Sequence, residues 1–382
     1  MAVPYHRPSI GHNEKKAVEE VLESGWLTTG QHARSLEVEV AELVGAKYAV
    51  CLNSATAALH LALEAFGVGP GDEVIIPTHT FAATGEVVFY TGATPVLVDV
   101  LRDTLSIDPG AVEMAITNKT KVIIPVHYGG QAADMESILA LAGSGISVLG
   151  DAAHALPTRH GKKMVGSIGR ATAFSFYANK TITTGEGGVL TTDDEKLAQR
   201  VRLLSLHGLD RDAWNRFKTG ASWEYDIIDA GYKYNLTDVA AAMGRVQLGR
   251  AEELRASRER VARRYDQAFA SVEHVEPLVV DRPQDSAWHL YVIRLNLENL
   301  SIDRNEFIDR MSAAEVGTSV HYKPLHLHTL YKERFRTARE DFPVSSEQYD
   351  RIVSLPIFPD MTGSEVEEVI GKVSDIVKGA TR

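Results

Sequence analysis

The sequence predicts an α/β fold: a mostly parallel central sheet with helices on both faces, then a smaller C-terminal α+β domain. From about residue 13 to 250, short β-rich runs alternate with helical patterns. Most of these runs are continuously apolar rather than alternating, as strands buried on both faces are. Near residue 250 the pattern changes to one long charged helix followed by a second, smaller set of elements.

Taken in order, the strand candidates are Tyr48–Leu52, Glu73–Ile76, Thr94–Val98, Val122–Val126, Ser147–Leu149, Ala171–Phe176 and Val189–Thr192. Between them, Ala55–Ala65, Pro109–Ile116 and Asp134–Leu141 carry helical spacing. Ala251–Phe269 interleaves acids and bases, which reads as a solvated helix joining two domains rather than a nucleic-acid surface. After it, Trp288–Leu295 and Gly317–His321 read as strands, flanked by helices at Arg304–Ala314 and Gly363–Ile376. The division expected is an arm at 1–12, a large domain at 13–250 and a small domain at 251–382. Neither an internal repeat nor a low-complexity segment is evident.

A chain of 382 residues is long enough for two cores. Its 44% hydrophobic and 24% charged residues are ordinary for a globular protein. The net charge of -11 argues against nucleic acid or an anionic membrane as partner. The single cysteine, Cys51, excludes an internal disulfide and sits in an apolar run, as a buried structural thiol would. The N-terminus has no apolar core of signal-peptide length, and no run approaches the roughly 18 apolar residues of a membrane helix. A cytoplasmic location without membrane insertion is expected.

Chemistry concentrates at the ends of two apolar runs. Phe174-Ser175-Phe176-Tyr177-Ala178-Asn179-Lys180 delivers one amine just before the glycine cluster Gly185-Glu186-Gly187-Gly188. Val148-Leu149-Gly150-Asp151 delivers one carboxylate, at the strand end where open α/β sheets place their ligands. Such a pair is what pyridoxal 5'-phosphate (PLP) needs: a lysine for the Schiff base and an acid that keeps the ring nitrogen protonated. Desolvation of Lys180 would free its neutral amine. The plain alternatives are a solvated lysine and a helix-capping aspartate.

Cys51-Leu52-Asn53-Ser54-Ala55-Thr56-Ala57 reads as strand, turn and helix start, with Asn53 or Ser54 as cap. Free N–H groups and the helix dipole suit a phosphate there, and Ser175 can add a donor. Phe81, just past a strand, is the candidate to cover one face of the cofactor, although a lone phenylalanine is more often core. His154 either orders Asp151 or packs on the cofactor; no second residue gives it metal-ligand spacing. Gly67-Val68-Gly69-Pro70-Gly71 precedes a strand and contains a proline, so it is a turn and not a dinucleotide loop.

With these residues the chain resembles the sugar-nucleotide aminotransferases of the DegT/DnrJ/EryC1/StrS family, of fold type I among PLP enzymes, over essentially its whole length. The further matching marks are Gly25-Trp26-Leu27-Thr28-Thr29-Gly30, Asp151-Ala152-Ala153-His154-Ala155 and Gly231-Tyr232-Lys233-Tyr234-Asn235-Leu236-Thr237-Asp238. The resemblance implies that Lys180 is the Schiff-base lysine and Asp151 the partner of the ring nitrogen. It implies phosphate ligands at Ser175, the backbone of Ala55 and Thr56, and Asn235, the last reaching into the neighbouring subunit of a homodimer. Phe81 matches the stacking aromatic. Gly150 replaces the family's usual acidic residue.

His154 stands where many members have glutamine, and this resembles the branch that aminates C4 of UDP-linked 4-keto sugars. Leu206–Trp214, Ala287–Leu290, Gly317–Tyr322 and Ser354–Pro356 are similar to the same branch. Against it, Asn179–Thr184 is similar to GDP-perosamine synthases, so UDP, dTDP and GDP stay open, as does a 3-keto sugar. The expected reaction is ping-pong, with L-glutamate as amino donor and Lys180 as the proton carrier. Thr28, His321, Tyr322 and His326 are the candidates for the sugar end. Some relatives that dehydrate carry histidine in place of the lysine, so Lys180 implies transamination. A PLP- or sugar-sensing regulator is the non-enzymatic alternative.

Overall fold

A computed structural model describes residues 2–210 and 224–382 of the chain. The large sheet has seven strands: β1 (Tyr48–Leu52), β2 (Glu73–Pro77), β3 (Thr94–Val98), β4 (Thr120–Ile123), β5 (Ser147–Asp151), β6 (Ala171–Ser175) and β7 (Gly188–Thr192). Their spatial order is β1-β7-β6-β5-β4-β2-β3. Strands β6, β5, β4, β2 and β3 pair in parallel, and β7 runs antiparallel to both β6 and β1.

The continuous apolar runs have a direct explanation in this sheet. Val74 and Ile76 face one layer of helices, whereas Ile75 between them faces the other; Leu149 and Val148 divide in the same way. Helices Ala55–Ala65, Ala82–Tyr90 and Glu195–Leu204 cover the first face. The second face is covered by Gln31–Val44, Pro109–Ala115, Met135–Ala142 and Asp238–Gly249. Period-two side chains with both faces buried leave no polar alternation to read. Strand β4 stops at Ile123, short of the Val126 expected, and Pro125 lacks the N–H a ladder requires. Cys51 is buried.

The second sheet is antiparallel, with β9 (Tyr291–Leu295) between β8 (Val275–Pro277) and β10 (Ile352–Leu355). Helices Ala251–Phe269, Arg304–Ala313 and Gly363–Lys378 bury Tyr265, Phe307 and Val369 with Ile293 and Val353 of this sheet. The strand expected at Gly317–His321 is corrected to a single bridge between Ser319 and Ser354. The backbone there is shared with the N-terminal arm: Gly317 N donates to Val3 O at 2.9 Å. A Cβ on Gly317 would lie 2.5 Å from Tyr5 N, so the close approach of the arm requires glycine.

The long charged helix is solvated at Glu252, Glu253 and Arg263, whereas Glu259 is buried and pairs with Arg255 and Arg263. Arg258 departs from the expectation. It is 1% exposed and donates to the carbonyls of Trp288, His289 and Ile357. No described helix is long and apolar enough to cross a membrane.

Candidate active site

Strands β5 and β6 are neighbours, and both end at the same edge of the sheet. Asp151 is the last residue of β5, paired with Ala173 of β6. The chain leaves β6 at Ser175 and returns in β7 at Gly188, directly opposite. Between them, Phe176 N donates to Gly187 O and Thr184 N to Phe176 O, each at 2.9 Å, which closes a loop. Lys180 sits on this loop, held by Lys180 N donating to Tyr177 O at 3.0 Å. Lys180 and Asp151 thus line one cavity of about 450 Å³.

Asp151 is 5% exposed and accepts from neutral donors, Thr84 Oγ1 at 2.8 Å and Ala153 N at 3.1 Å. Burial raises its pKa above the ordinary value, while those hydrogen bonds and the Lys180 charge oppose the rise. A buried carboxylate held this way favours a cation in the cavity, and a protonated pyridine nitrogen supplies one. Burial lowers the Lys180 pKa to about 8; Asp151 opposes this and Arg258 adds to it. The neutral amine is therefore far more populated near neutrality than in an exposed lysine, which favours covalent attachment.

The other end of the cavity is built for an anion. Ser54 caps helix Ala55–Ala65, its Oγ accepting from Ala57 N at 3.1 Å. The first-turn N–H groups of Ala55 and Thr56 have no intrahelical acceptor and face the cavity with the helix dipole behind them. Gly188 lies between this turn and Ser175. A Cβ on it would sit 2.3 Å from Ser54 C and 2.5 Å from Ala55 N. Ser175 Oγ, beside the turn, also lines the cavity. These residues fit a phosphorylated pyridine aldehyde: phosphate at one end, ring-nitrogen partner at the other, amine between.

Aromatic and imidazole groups close the walls. Phe81 is 58% exposed, lines the cavity and lies 5.6 Å from the Tyr322 ring. His154 Nδ1 accepts from Gly129 N at 3.3 Å. That places the ring proton on Nε2, which donates to the Tyr322 hydroxyl at 2.7 Å. His321 also lines the cavity, with Nδ1 2.9 Å from Ser354 Oγ. Burial lowers its pKa to about 3.

Three expected site residues lie elsewhere in the protomer. His326 is 0% exposed, bonded through Nδ1 to Thr78 Oγ1 at 2.7 Å and through Nε2 to Ser346 Oγ at 2.9 Å. With both nitrogens engaged in the interior, its expected sugar contact is corrected to a packing role. Thr28 is exposed and its carbonyl accepts from Asp238 N. Asn235 bonds Thr29 Oγ1 at 2.7 Å beyond the sheet edge at β1, outside this protomer's cavity. Of the stretch Leu206–Trp214, residues 211–214 lie outside the described residues.

Sequence comparison gives this geometry its context. The profile of the DegT/DnrJ/EryC1/StrS aminotransferase family matches residues 8–374. The chain belongs to that family. Among curated relatives, the spore coat polysaccharide biosynthesis protein SpsC of Bacillus subtilis (strain 168) is 48% identical over 381 residues, covering 99% of this chain and 98% of SpsC. The sugar aminotransferase Spr1654 of Streptococcus pneumoniae, in its PLP form, superposes with a TM-score of 0.91 at 36% identity, covering 99% of both chains. Helicobacter pylori PseC, an aminotransferase involved in the biosynthesis of pseudoaminic acid, has a TM-score of 0.91 at 30% identity, covering 99% of this chain and 100% of PseC.

As a DegT/DnrJ/EryC1/StrS aminotransferase, this chain is a PLP-dependent sugar aminotransferase of fold type I, and Spr1654 has been solved in both PLP and PMP forms. Sequence reasoning missed several residues around the cavity of this aminotransferase. Thr84 is one; its signal was a threonine four residues after Thr80, in the mostly apolar run Ala82–Tyr90. His289 is another: its Nε2 lies 3.4 Å from Lys180 Nζ, yet the Trp288-His289 pair served only as a mark of resemblance. Tyr5 and His6 of the arm also reach the site, with Tyr5 stacked on His321 and His6 Nε2 bonded to Ala178 O at 3.0 Å.

Proposed function

We propose that the chain moves an amino group from L-glutamate to the C4 keto carbon of a nucleotide-linked 4-keto-6-deoxy sugar, in the biosynthesis of a surface polysaccharide. The observation that carries this reading is the placement of Lys180 and Asp151 on one cavity beside the Ser54–Thr56 turn. PLP, when bound, supplies the electron sink for the donor's Cα carbanion. Lys180 would attach the cofactor and, once released, would carry a proton from the donor Cα to the cofactor's aldehyde-derived carbon and, in the second half-reaction, from that carbon to the sugar carbon. Asp151 keeps the ring nitrogen charged. Ser175 and the N–H groups of Ala55 and Thr56 hold the phosphate, and Phe81 stacks on the ring.

His154, His321 and Tyr322 face the sugar in this reading, and His154 favours a UDP-linked substrate. Thr28 and Asn235 act across a homodimer interface, with Asn235 completing the partner's phosphate site. Residues 13–250 form the cofactor domain and 251–382 the smaller domain that covers it. The name of SpsC supports the polysaccharide assignment.

The test supplies the PLP-loaded protein with L-glutamate and, separately, UDP-, dTDP- and GDP-linked 4-keto-6-deoxy sugars. Formation of 2-oxoglutarate and of a C4 amine, located by NMR, is expected with the UDP sugar. An amine formed with the GDP sugar alone would assign the perosamine reaction instead, and a C3 amine would assign a 3-keto substrate. No 2-oxoglutarate with any sugar, or undiminished activity in Lys180→Ala, would sink the enzyme reading.

A further inference from the structure

Lys180 has one close polar neighbour that the reaction outlined above leaves without a task. His289 Nε2 lies 3.4 Å from Lys180 Nζ, a long hydrogen bond. His289 is 4% exposed, and its other nitrogen, Nδ1, is buried with no partner among the described residues. With Nδ1 unpaired, nothing fixes the ring tautomer, so Nε2 is able either to accept or to donate toward Lys180.

The position of this ring is firmly set. Ala287 N donates to Gly130 O at 2.9 Å and Leu290 N to Gly129 O at 3.1 Å, which lays residues 287–290 against the Gly129–Gly130 turn. A Cβ on Gly130 would meet His289 N at 2.9 Å, so glycine is needed for that contact. The fully buried Arg258 donates to His289 O at 3.3 Å. On the cavity side the ring packs on His154, with centroids 4.3 Å apart. The groups facing His289 are therefore Lys180, His154, Arg258 and His321. Burial, then these positive or neutral neighbours, keep the imidazole neutral.

A neutral imidazole suits a lysine that alternates between protonated and free forms. Its Nε2 accepts from an ammonium in one tautomer and donates to an amine lone pair in the other. A carboxylate in the same place would hold the lysine as ammonium and oppose its attack. We propose that His289 is a positioning residue for Lys180: it holds the lysine amine against the cavity wall whenever that amine is not bonded to the cofactor, keeping it aimed at the cofactor's reacting carbons. The inference rests on Lys180 being the cofactor-bearing lysine.

The experiment follows covalent loading of PLP onto the cofactor-free full-length protein by the absorbance of lysine-bound cofactor, a readout that needs no turnover. Each event joins Nζ to the aldehyde carbon and releases one water. His289→Leu is expected to load roughly tenfold more slowly, the size of one hydrogen bond to a reacting group, while His289→Gln stays within about threefold of wild type. In a Lys180→Ala background, adding His289→Leu should leave the non-covalent PLP Kd unchanged, because His289 acts through the lysine. Wild-type loading by His289→Leu would overturn the proposal. So would a loss of PLP affinity in the Lys180→Ala background equal to that in the parent, since a merely structural role moves both.

If His289→Leu gives no cooperative melt, His289→Asn replaces it. Glutamine reaches the place of Nε2 and asparagine only that of Nδ1, so loading must be slower in the asparagine variant, and equal rates overturn the idea. A wild-type protein that never forms lysine-bound PLP would instead defeat the reading of Lys180 itself.

Discussion

Thr84 Oγ1 donates to Asp151 Oδ2 at 2.8 Å, so a threonine one turn into the helix after Phe81 stabilises the ionised acid at the end of β5. Burial drives the Asp151 pKa upward, and this hydrogen bond is the leading opposing influence. Thr84→Val keeps the shape and removes the donor. The carboxylate pKa should rise further, and PLP should bind roughly tenfold more weakly, as expected for a hydrogen bond to a charged group. The loss should be greatest at low pH and shrink as pH rises, because alkali restores the ionised acid. PLP Kd values by absorbance at pH 6 and pH 8.5 check this; unchanged affinity at both rejects it.

Lys180 has a folded-state pKa of about 8 against an ordinary 10.5, chiefly through burial. Attack on the cofactor needs the neutral amine, so covalent PLP loading should accelerate with pH and level off near 8. An exposed lysine would keep accelerating beyond pH 10. The same shift links to stability: the unfolded chain holds this proton up to a higher pH than the folded one. The cofactor-free protein should therefore gain stability between about pH 8 and 10.5, and Lys180→Met should lack that gain. Stopped-flow loading and urea midpoints across this range decide it.

Lys180 and Asp151 were legible because Asp151 ends a strand buried on both faces and Lys180 follows the end of the neighbouring strand, so each stands out as a polar residue after an apolar run. The residues around them were not. His289 reaches Lys180 from 109 positions away, a contact that no local pattern encodes. Arg258 sits among charges on the Ala251–Phe269 helix; its spacing from Leu254, Val261 and Tyr265 places it on the buried stripe, a position its own charge masks. Gly317–His321 has the composition of a strand, but its backbone groups are divided between the N-terminal arm and Ser354. His326 lies between Leu325 and Leu327 in the sequence, and in space Thr78 and Ser346 hold both its ring nitrogens in the interior, contacts that no local pattern encodes.

Gly188 and Gly185 flank the same loop and should respond differently to alanine. A methyl at Gly188 would overlap the Ser54–Ala55 backbone, which cannot retreat without moving the phosphate turn. Gly188→Ala should cost roughly 1–3 kcal/mol of stability from overpacking and weaken PLP binding more than about tenfold. Gly185 has φ +80 with open space around it. Its alanine variant should lose only about 1–2 kcal/mol from backbone strain, with PLP affinity nearly intact. Melting curves and PLP titrations of the two variants separate these outcomes.

His326→Leu should damage the fold and not the reaction. It would take one hydrogen bond from each of the Thr78 and Ser346 hydroxyls, which keep His326 N and Arg339 O as partners. Each lost hydrogen bond costs about 0.5–1.5 kcal/mol, so the urea midpoint should fall. Below the unfolding transition, KM for the sugar should match wild type. A raised KM in a fully folded variant would restore the sugar-binding role.

Tyr322 provides the contrasting case, because its hydroxyl is already committed as an acceptor. Gly129 N occupies His154 Nδ1, so the His154 proton lies on Nε2 and points at the Tyr322 oxygen. The tyrosine's own hydrogen is then free to point into the cavity, and burial keeps the phenol from ionising. A neutral donor held in this way suits a sugar hydroxyl or carbonyl oxygen. Tyr322→Phe should therefore lower kcat/KM for the keto sugar by roughly tenfold, the worth of one such hydrogen bond. The half-reaction with glutamate should change by less than about twofold, since its carboxylates need cations rather than this donor. Single-turnover measurements of each half-reaction distinguish the two effects. Equal losses in both would mean that Tyr322 holds the cofactor or His154 in place and does not contact the sugar.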